Sequence, residues 1–158
     1  MGGNTHEQGE ADTMRALVVY RTTHGSARTI AEHIAAGLAR RMPVDLADVT
    51  NAPSCTAGVD LLVVGTDPGH HDDLHHWLNT LHKGPGPVRA ATFDTRADTN
   101  PSAARTVEHH LRSTGFHLTE PTRSFHLRRP GGPLRSGETD RARRWAEHLA
   151  AGLPALTR

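Results

Sequence analysis

The chain predicts a three-layer α/β domain, a doubly wound parallel sheet with helices on both faces. Three observations predict it: β-branched apolar runs of strand length, segments with apolar residues at helical spacing, and the regular alternation of the two. Its 158 residues suit one domain, and no internal repeat or second-domain boundary interrupts the order.

The first run, Arg15 to Tyr20 (RALVVY), reads as strand 1. Ser26 to Arg41 follows as a helix, with Ile30, Ile34, Ala35 and Leu38 on one face. Pro43 to Val49 alternates and reads as a weaker strand 2, and the segment APSCTAG as a connector or short helical turn. Val59 to Thr66 (VDLLVVGT) is the strongest strand, its unbroken apolar character suiting a central position covered on both faces. Asp72 to His82 reads as a helix burying Leu74, Trp77, Leu78 and Leu81, stopped by KGPGPV. Val88 to Thr95 is strand 4, and Pro101 to Ser113 a helix ending at Gly115. Phe116 to Leu127 supplies strand 5, interrupted by Pro121, and Glu138 to Ala151 a last helix with Ala142, Trp145 and Leu149 in its stripe.

Composition narrows the function. With 18 basic and 17 acidic residues, charge implies neither a nucleic-acid footprint nor an acidic docking face. No apolar run approaches the ~20 residues of a membrane span. The single cysteine, Cys55, precludes an internal disulfide and fits a reducing cytoplasm. Residues 1–13 lack the apolar core of a signal peptide and are expected to be a disordered leader or an expression remnant. The domain is expected over 14–153, with 154–158 a short tail. Thirteen histidines make the chain histidine-rich, with pairs at His70–His71, His75–His76 and His109–His110.

In doubly wound sheets ligands bind beyond the carboxyl ends of the strands, so three loops matter: those after Tyr20, Gly65 and Phe93. ALVVYRTTHGSARTIAEHIAAGL resembles the opening of a flavodoxin, and DLLVVGTDPGHH resembles that family's strand 3 and second flavin-facing loop. RAATFDTR and GPLRSGETDRARRWAEHLA are similar to its strand 4 and last-helix entry, so the resemblance spans Met14 to about Leu153. It implies a flavodoxin-like five-stranded sheet of order 2-1-3-4-5, and FMN as cofactor.

The resemblance places the FMN site on Thr22, Thr23, His24, Gly25, Ser26 and Ala27; on Thr66, Asp67, Pro68, Gly69 and His70; and on Phe93, Asp94, Thr95 and Arg96. Thr22 and Gly25 match its phosphate-loop pattern. Ser26 stands for Asn, and Ala27 lacks a hydroxyl, which costs about 1.5–3 kcal/mol, one or two decades of affinity. The alternative reading of that loop is an ordinary helix start with Ser26 as N-cap. In the second loop only His70 and His71 offer flat side chains to a flavin ring; Trp77 falls in the core stripe. His71 with His75, and Asp72 with His76, stand four apart, a spacing that also suits a metal; a solvated helix start explains them as well, and no metal site is assigned. Asp94 and Arg96 are expected to shape the third turn as a local ion pair.

Two readings of function follow. In one the protein binds FMN for a specialised redox role, since a general electron carrier of this family is acidic and this chain is near neutral. In the other it is a flavin-free enzyme acting on a small organic substrate, with His24, His70, His71 and Asp67 as acid–base residues and Asp94 across the cleft. A non-catalytic binding module on the same scaffold is the third. The partners expected are a small-molecule substrate or a redox protein, not nucleic acid or membrane, with a second copy of the chain left open.

Overall fold

A computed structural model of the chain describes residues 14–153; the expectations for 1–13 and 154–158 lie outside the described residues. The elements are β1 (Ala16–Arg21), α1 (Ser26–Leu38), β2 (Val44–Asp48), a 3-10 turn (Val49–Asn51), β3 (Leu61–Thr66), α2 (Asp72–Thr80), β4 (Arg89–Arg96), α3 (Ala104–Ser113), β5 (His117–Leu118), β6 (Arg123–His126) and α4 (Glu138–Ala151). The sheet runs β2-β1-β3-β4-β5, with β6 also on β4, and every pairing is parallel. The predicted order therefore holds.

The fifth strand is laid down in two pieces on β4, one on each side of the break containing Pro121. Proline has no N–H for the ladder. Next to it, the Thr122 amide and hydroxyl both donate to Glu108 Oε1 of α3, at 2.9 and 2.7 Å. Burial alone would raise the Glu108 carboxyl, but those two bonds and the Arg112 guanidinium hold it below the ordinary glutamate value.

Alternation along the strands divides the core into two slabs. Ala16, Val18, Leu61, Val63, Ala91 and Phe93 face α1 and α4, where Ile30, Ile34, Ala142 and Trp145 complete the layer. Leu17, Val19, Leu62, Val64 and Ala90 face α2 and α3, against Leu74, Trp77, Val107 and Leu111. The first and last helices pack closely because Gly37 has no side chain: a Cβ there would lie 2.8 Å from Ala146 Cβ.

Three helices are shorter than their periodicity predicts. α1 ends at Leu38 rather than Arg41. α2 ends at Thr80, and Leu81 stays buried on extended backbone. α3 starts at Ala104 rather than Pro101, its amide held from strand β4 by Asp94 Oδ2 at 3.2 Å. Among the described residues no helix is long and apolar enough to cross a membrane.

Candidate functional site

The carboxyl ends of β1, β3 and β4 lie side by side, with Tyr20 beside Gly65 and Gly65 beside Phe93. The chain leaves β1 through Thr22, Thr23 and His24 and turns into α1 at Gly25, whose φ of +93° suits a residue without Cβ. Gly25 itself holds the N-cap position and provides no side-chain cap. The expected Ser26 cap is thus corrected: Ser26 Oγ pairs instead with Thr95 Oγ1 at 2.7 Å, tying the first loop to the end of β4.

The loop amides already hold an anion, and it belongs to the protein. Asp67 Oδ2 accepts the Thr23 amide at 2.5 Å, the His24 amide at 3.4 Å and the Thr22 hydroxyl at 3.3 Å. The Thr22 hydroxyl is oriented for this by accepting the Gly25 amide at 2.9 Å. Asp67 is only 1% exposed. Its other oxygen, Oδ1, lies 3.2 Å from His71 Nε2 but receives no well-aligned hydrogen bond. His71 Nε2 faces oxygen acceptors alone, the Pro68 carbonyl at 3.2 Å and the Asp67 carbonyl at 3.4 Å, so that nitrogen carries the hydrogen.

Asp94, expected at the flavin edge or across the cleft, is fully buried and structural. It accepts Ser102 Oγ at 2.5 Å, Ser124 Oγ at 2.6 Å and the Ala104 amide. Its expected ion pair with Arg96 is present at 4.0 Å, and Arg96 also donates to Ser124 Oγ and the Asn100 carbonyl. Asn100 Oδ1 in turn accepts the Ala97 amide, closing the third loop on itself.

A small hairpin covers the site. Leu127 and Leu134 bridge antiparallel, the Arg128 amide donates to the Pro133 carbonyl, and Arg135 closes back on the His126 carbonyl. Beneath it lies a cavity of about 120 Å³, lined by Thr23, His24 and Ser26, by Asp67 and Pro68, and by Asn100, Leu127, Pro130 and Gly131. The exposed His24 ring sits at its rim: a Cβ at Gly131 would be 3.7 Å from His24 Nε2.

Five of the expected site residues therefore meet at one cavity: Thr23, His24, Ser26, Asp67 and Pro68. Others do not reach it. Ala27 is fully buried in the α1 layer of the core. Phe93 is likewise fully buried, its ring beneath Gly65, where an added Cβ would come within 1.9 Å. Thr66 is buried and donates to the Asp67 carbonyl, and Thr95 is taken by Ser26. His70 is turned to the exposed side, its ring stacked on His75 at 4.4 Å with Asp72 as partner. Among the described residues no three His, Cys, Asp or Glu side chains converge as a metal site. Sequence reasoning missed Asn100, Leu127, Pro130 and Gly131. The signal for the hairpin was Pro130-Gly131-Gly132-Pro133 between two leucines, turn chemistry flanked by apolar anchors.

FMN does not fit this arrangement. A phosphate would meet a buried carboxylate on the amides it needs, and like charges at such range repel strongly. The cavity is also below the roughly 300–1,000 Å³ usual for cofactor pockets, and no Trp, Tyr or Phe lines it.

No family model and no curated protein matches the sequence. Solved structures do match. A flavodoxin from the domain Archaea aligns with a TM-score of 0.68 at 16% identity, over 87% of this chain and 97% of that one. Oxidised Flavodoxin 2 from Bacillus cereus aligns at 0.69 and 17%, over 87% and 98%. The flavodiiron protein of Giardia intestinalis aligns at 0.67 and 11%, over 94% of this chain and 39% of that one. At such identities the likeness shows the fold: it is flavodoxin-like.

Proposed function

We propose that this chain is a flavin-independent protein on a flavodoxin-like scaffold, whose cleft takes a small organic molecule of neutral or positive charge. One observation carries the reading: the Asp67 carboxylate occupies the amides of Thr23 and His24, where a bound phosphate would have to be held. Replacing a phosphate by an internal carboxylate fills the anion requirement of the loop and leaves the space under the hairpin for another ligand. His24 stands at that space, free of a side-chain partner among the described hydrogen bonds, and histidine is the side chain that gives and takes protons in the physiological range. On this reading His24 serves as the acid–base residue, Ser26 and Asn100 present the polar wall, and Leu127 the apolar one. His71 and Asp67 hold the loop in place and do not touch the ligand's reacting atoms. A cytoplasmic setting is part of the proposal and rests on the free, exposed Cys55 thiol.

The fold likeness favours a second reading, FMN bound for a specialised redox role, and one titration separates the two. Saturating FMN should leave the flavin absorbance, its fluorescence and the melting temperature of the protein unchanged. A yellow purified protein, or fluorescence quenching at micromolar concentration, would establish the flavin reading in its place. A small-fragment screen by amide chemical shift should then move the Thr23, His24 and Asn100 signals with neutral or cationic compounds and not with anionic ones.

A further inference from the structure

We propose that the groove between α2 and the crossover from β2 to β3 is a second binding site, and that its ligand is a small organic ammonium, an N–H-bearing cation on a short apolar body. It shares no lining residue with the cleft under the hairpin. The groove arises from how the chain crosses the sheet. Parallel strands need a crossover of a dozen or more residues, usually an α-helix. Here residues 49–60 carry the chain from β2 past β1 to β3 with the 3-10 turn Val49–Asn51 as their only helix. Val49 and Ala52 still reach the slab that holds Leu74 and Trp77, but among the described residues no helix is laid over them. What remains beside α2 is a groove of about 590 Å³, within the roughly 300–1,000 Å³ of small-molecule sites.

The wall decides the class of ligand. Val49, Ala52 and Trp77 supply its apolar part. The hydrogens around them are largely spent inside the protein. The Trp77 indole N–H donates to the Pro53 carbonyl at 3.0 Å. The Thr80 hydroxyl donates to the Trp77 carbonyl and the Thr50 hydroxyl to Asp48 Oδ1, both at 2.9 Å, so each meets a ligand with lone pairs alone. Asp72 and Asp73 add two carboxylates, which only accept. His70 uses Oδ1 of Asp72, and Arg21 and the Leu74 amide use Oδ1 of Asp73, so among the described hydrogen bonds the second oxygen of each is left for another donor. Ser54 and His76 alone keep a hydrogen to give, and no lysine or arginine lines the groove. The positive end of the α2 dipole, equivalent to about half a charge, is outweighed by the two carboxylates. An anion is therefore repelled, and a neutral hydrocarbon would strip water from the acceptors without replacing it. An alkylammonium satisfies both parts of the wall: its N–H groups meet the free carboxylate oxygens, and its carbon chain covers Val49, Ala52 and Trp77.

The test titrates n-pentylamine into the whole chain at neutral pH and constant ionic strength, followed by the NMR signals of the Trp77 indole N–H and the Thr50, Ser54 and Thr80 amides. The controls are n-pentanol, with the same body and no charge, and pentanoate, with the opposite charge. The amine should move those signals saturably, at a concentration at least about threefold lower than pentanol, as two exposed charge contacts imply, and pentanoate should leave them still. Asp72→Asn removes a charge from a side chain that is 98% exposed, so the fold is kept, and it should weaken the amine about two- to fivefold. Thr80→Lys sets an ammonium of the protein in the groove and should abolish the response. A pentanol response equal to that of the amine, a pentanoate response, or variants that bind the amine as wild type does would overturn the proposal. So would no response at these signals, including an amine response confined to Thr23, His24 and Asn100, which reports the cleft alone.

Discussion

Glu138 offers the most direct test of how the site cover is held. It is the first residue of α4, only 8% exposed, and its carboxylate binds two elements at once. Oε2 accepts the His126 amide at 2.5 Å, where β6 runs into the hairpin, while Arg141 Nε and Nη2 donate to the two oxygens at 2.9 and 3.0 Å. The same guanidinium lies over the Phe125 ring at 4.7 Å and reaches the Ser124 carbonyl. Glu138→Gln keeps the shape, but its amide nitrogen must face either the His126 amide or Arg141, donor against donor. Hydrogen bonds to charged groups contribute roughly 1.5–3 kcal/mol each, and removing one partner of a fully buried ion pair costs about 3–5. Arg141 is about a third exposed at its side chain, which places the loss near the low end, about 2–3 kcal/mol. For a domain of this size each kcal/mol moves the melting point by roughly 2–4 °C, so the variant should melt about 4–12 °C lower at neutral pH.

The pH dependence supplies an independent check. Burial alone would raise the Glu138 carboxyl, but Arg141 and the His126 amide outweigh it and hold the group below its ordinary value of 4.5. Its folded pKa is therefore the lower one. The stabilisation is complete above the ordinary value and is lost as pH falls through the folded one. The gap between wild type and Glu138→Gln, followed by thermal unfolding, should thus be full at neutral pH and close on acidification below 4.5. A variant that melts within about 1 °C of wild type at neutral pH would refute the reasoning, since the carboxylate would then contribute nothing net.

Three further outcomes are expected. Gly65→Ala puts a methyl within 1.9–2.3 Å of the Phe93 ring and should destabilise by more than the ~1–3 kcal/mol of ordinary overpacking, with Phe93→Leu recovering part of the loss in a double-variant melt; a Gly65→Ala protein that melts like wild type refutes the contact. Burial, then the nearby His70 and His110, lowers the His75 pKa below 6.5, so folding favours its neutral form. Stability from that position is held above 6.5 and lost as pH falls below it, and His75→Asn should flatten that slope in pH-dependent unfolding; an unchanged slope would count against the neutral form. Cys55, free and exposed, should react with a maleimide on the folded chain without altering its melting point; protection of the thiol until unfolding would contradict its placement.

The fold was legible because its determinants are local. RALVVY and VDLLVVGT announce strands by composition, and the stripe Leu74, Trp77, Leu78 announces a buried helix face, whatever surrounds them. The carboxylate on the phosphate loop was not legible, because Asp67 meets Thr23 only after β1 and β3 have been set side by side. Asp94 misled for a similar reason. An acid at a strand end looks like a ligand group, yet Ser102 and Ser124, eight and thirty residues on, convert it into a buried cap. Phe93 was readable in hindsight: it shares the parity of Ala91 along β4, and that face looks toward Phe125 and α4 rather than the loops.

The close seating of α4 on α1 has a consequence for synthesis. The helix that follows the first strand finds its partner in the last helix of the domain, across a contact where Gly37 meets Ala146. While the chain emerges from the ribosome, β1, β2 and β3 can pair, but the side of α1 that carries Gly37 has no partner until α4 is free. A nascent chain halted before Glu138 would leave the Gly37 side of α1 without its partner, so the two-helix layer on this face of the sheet is completed only by the fourteen-residue α4.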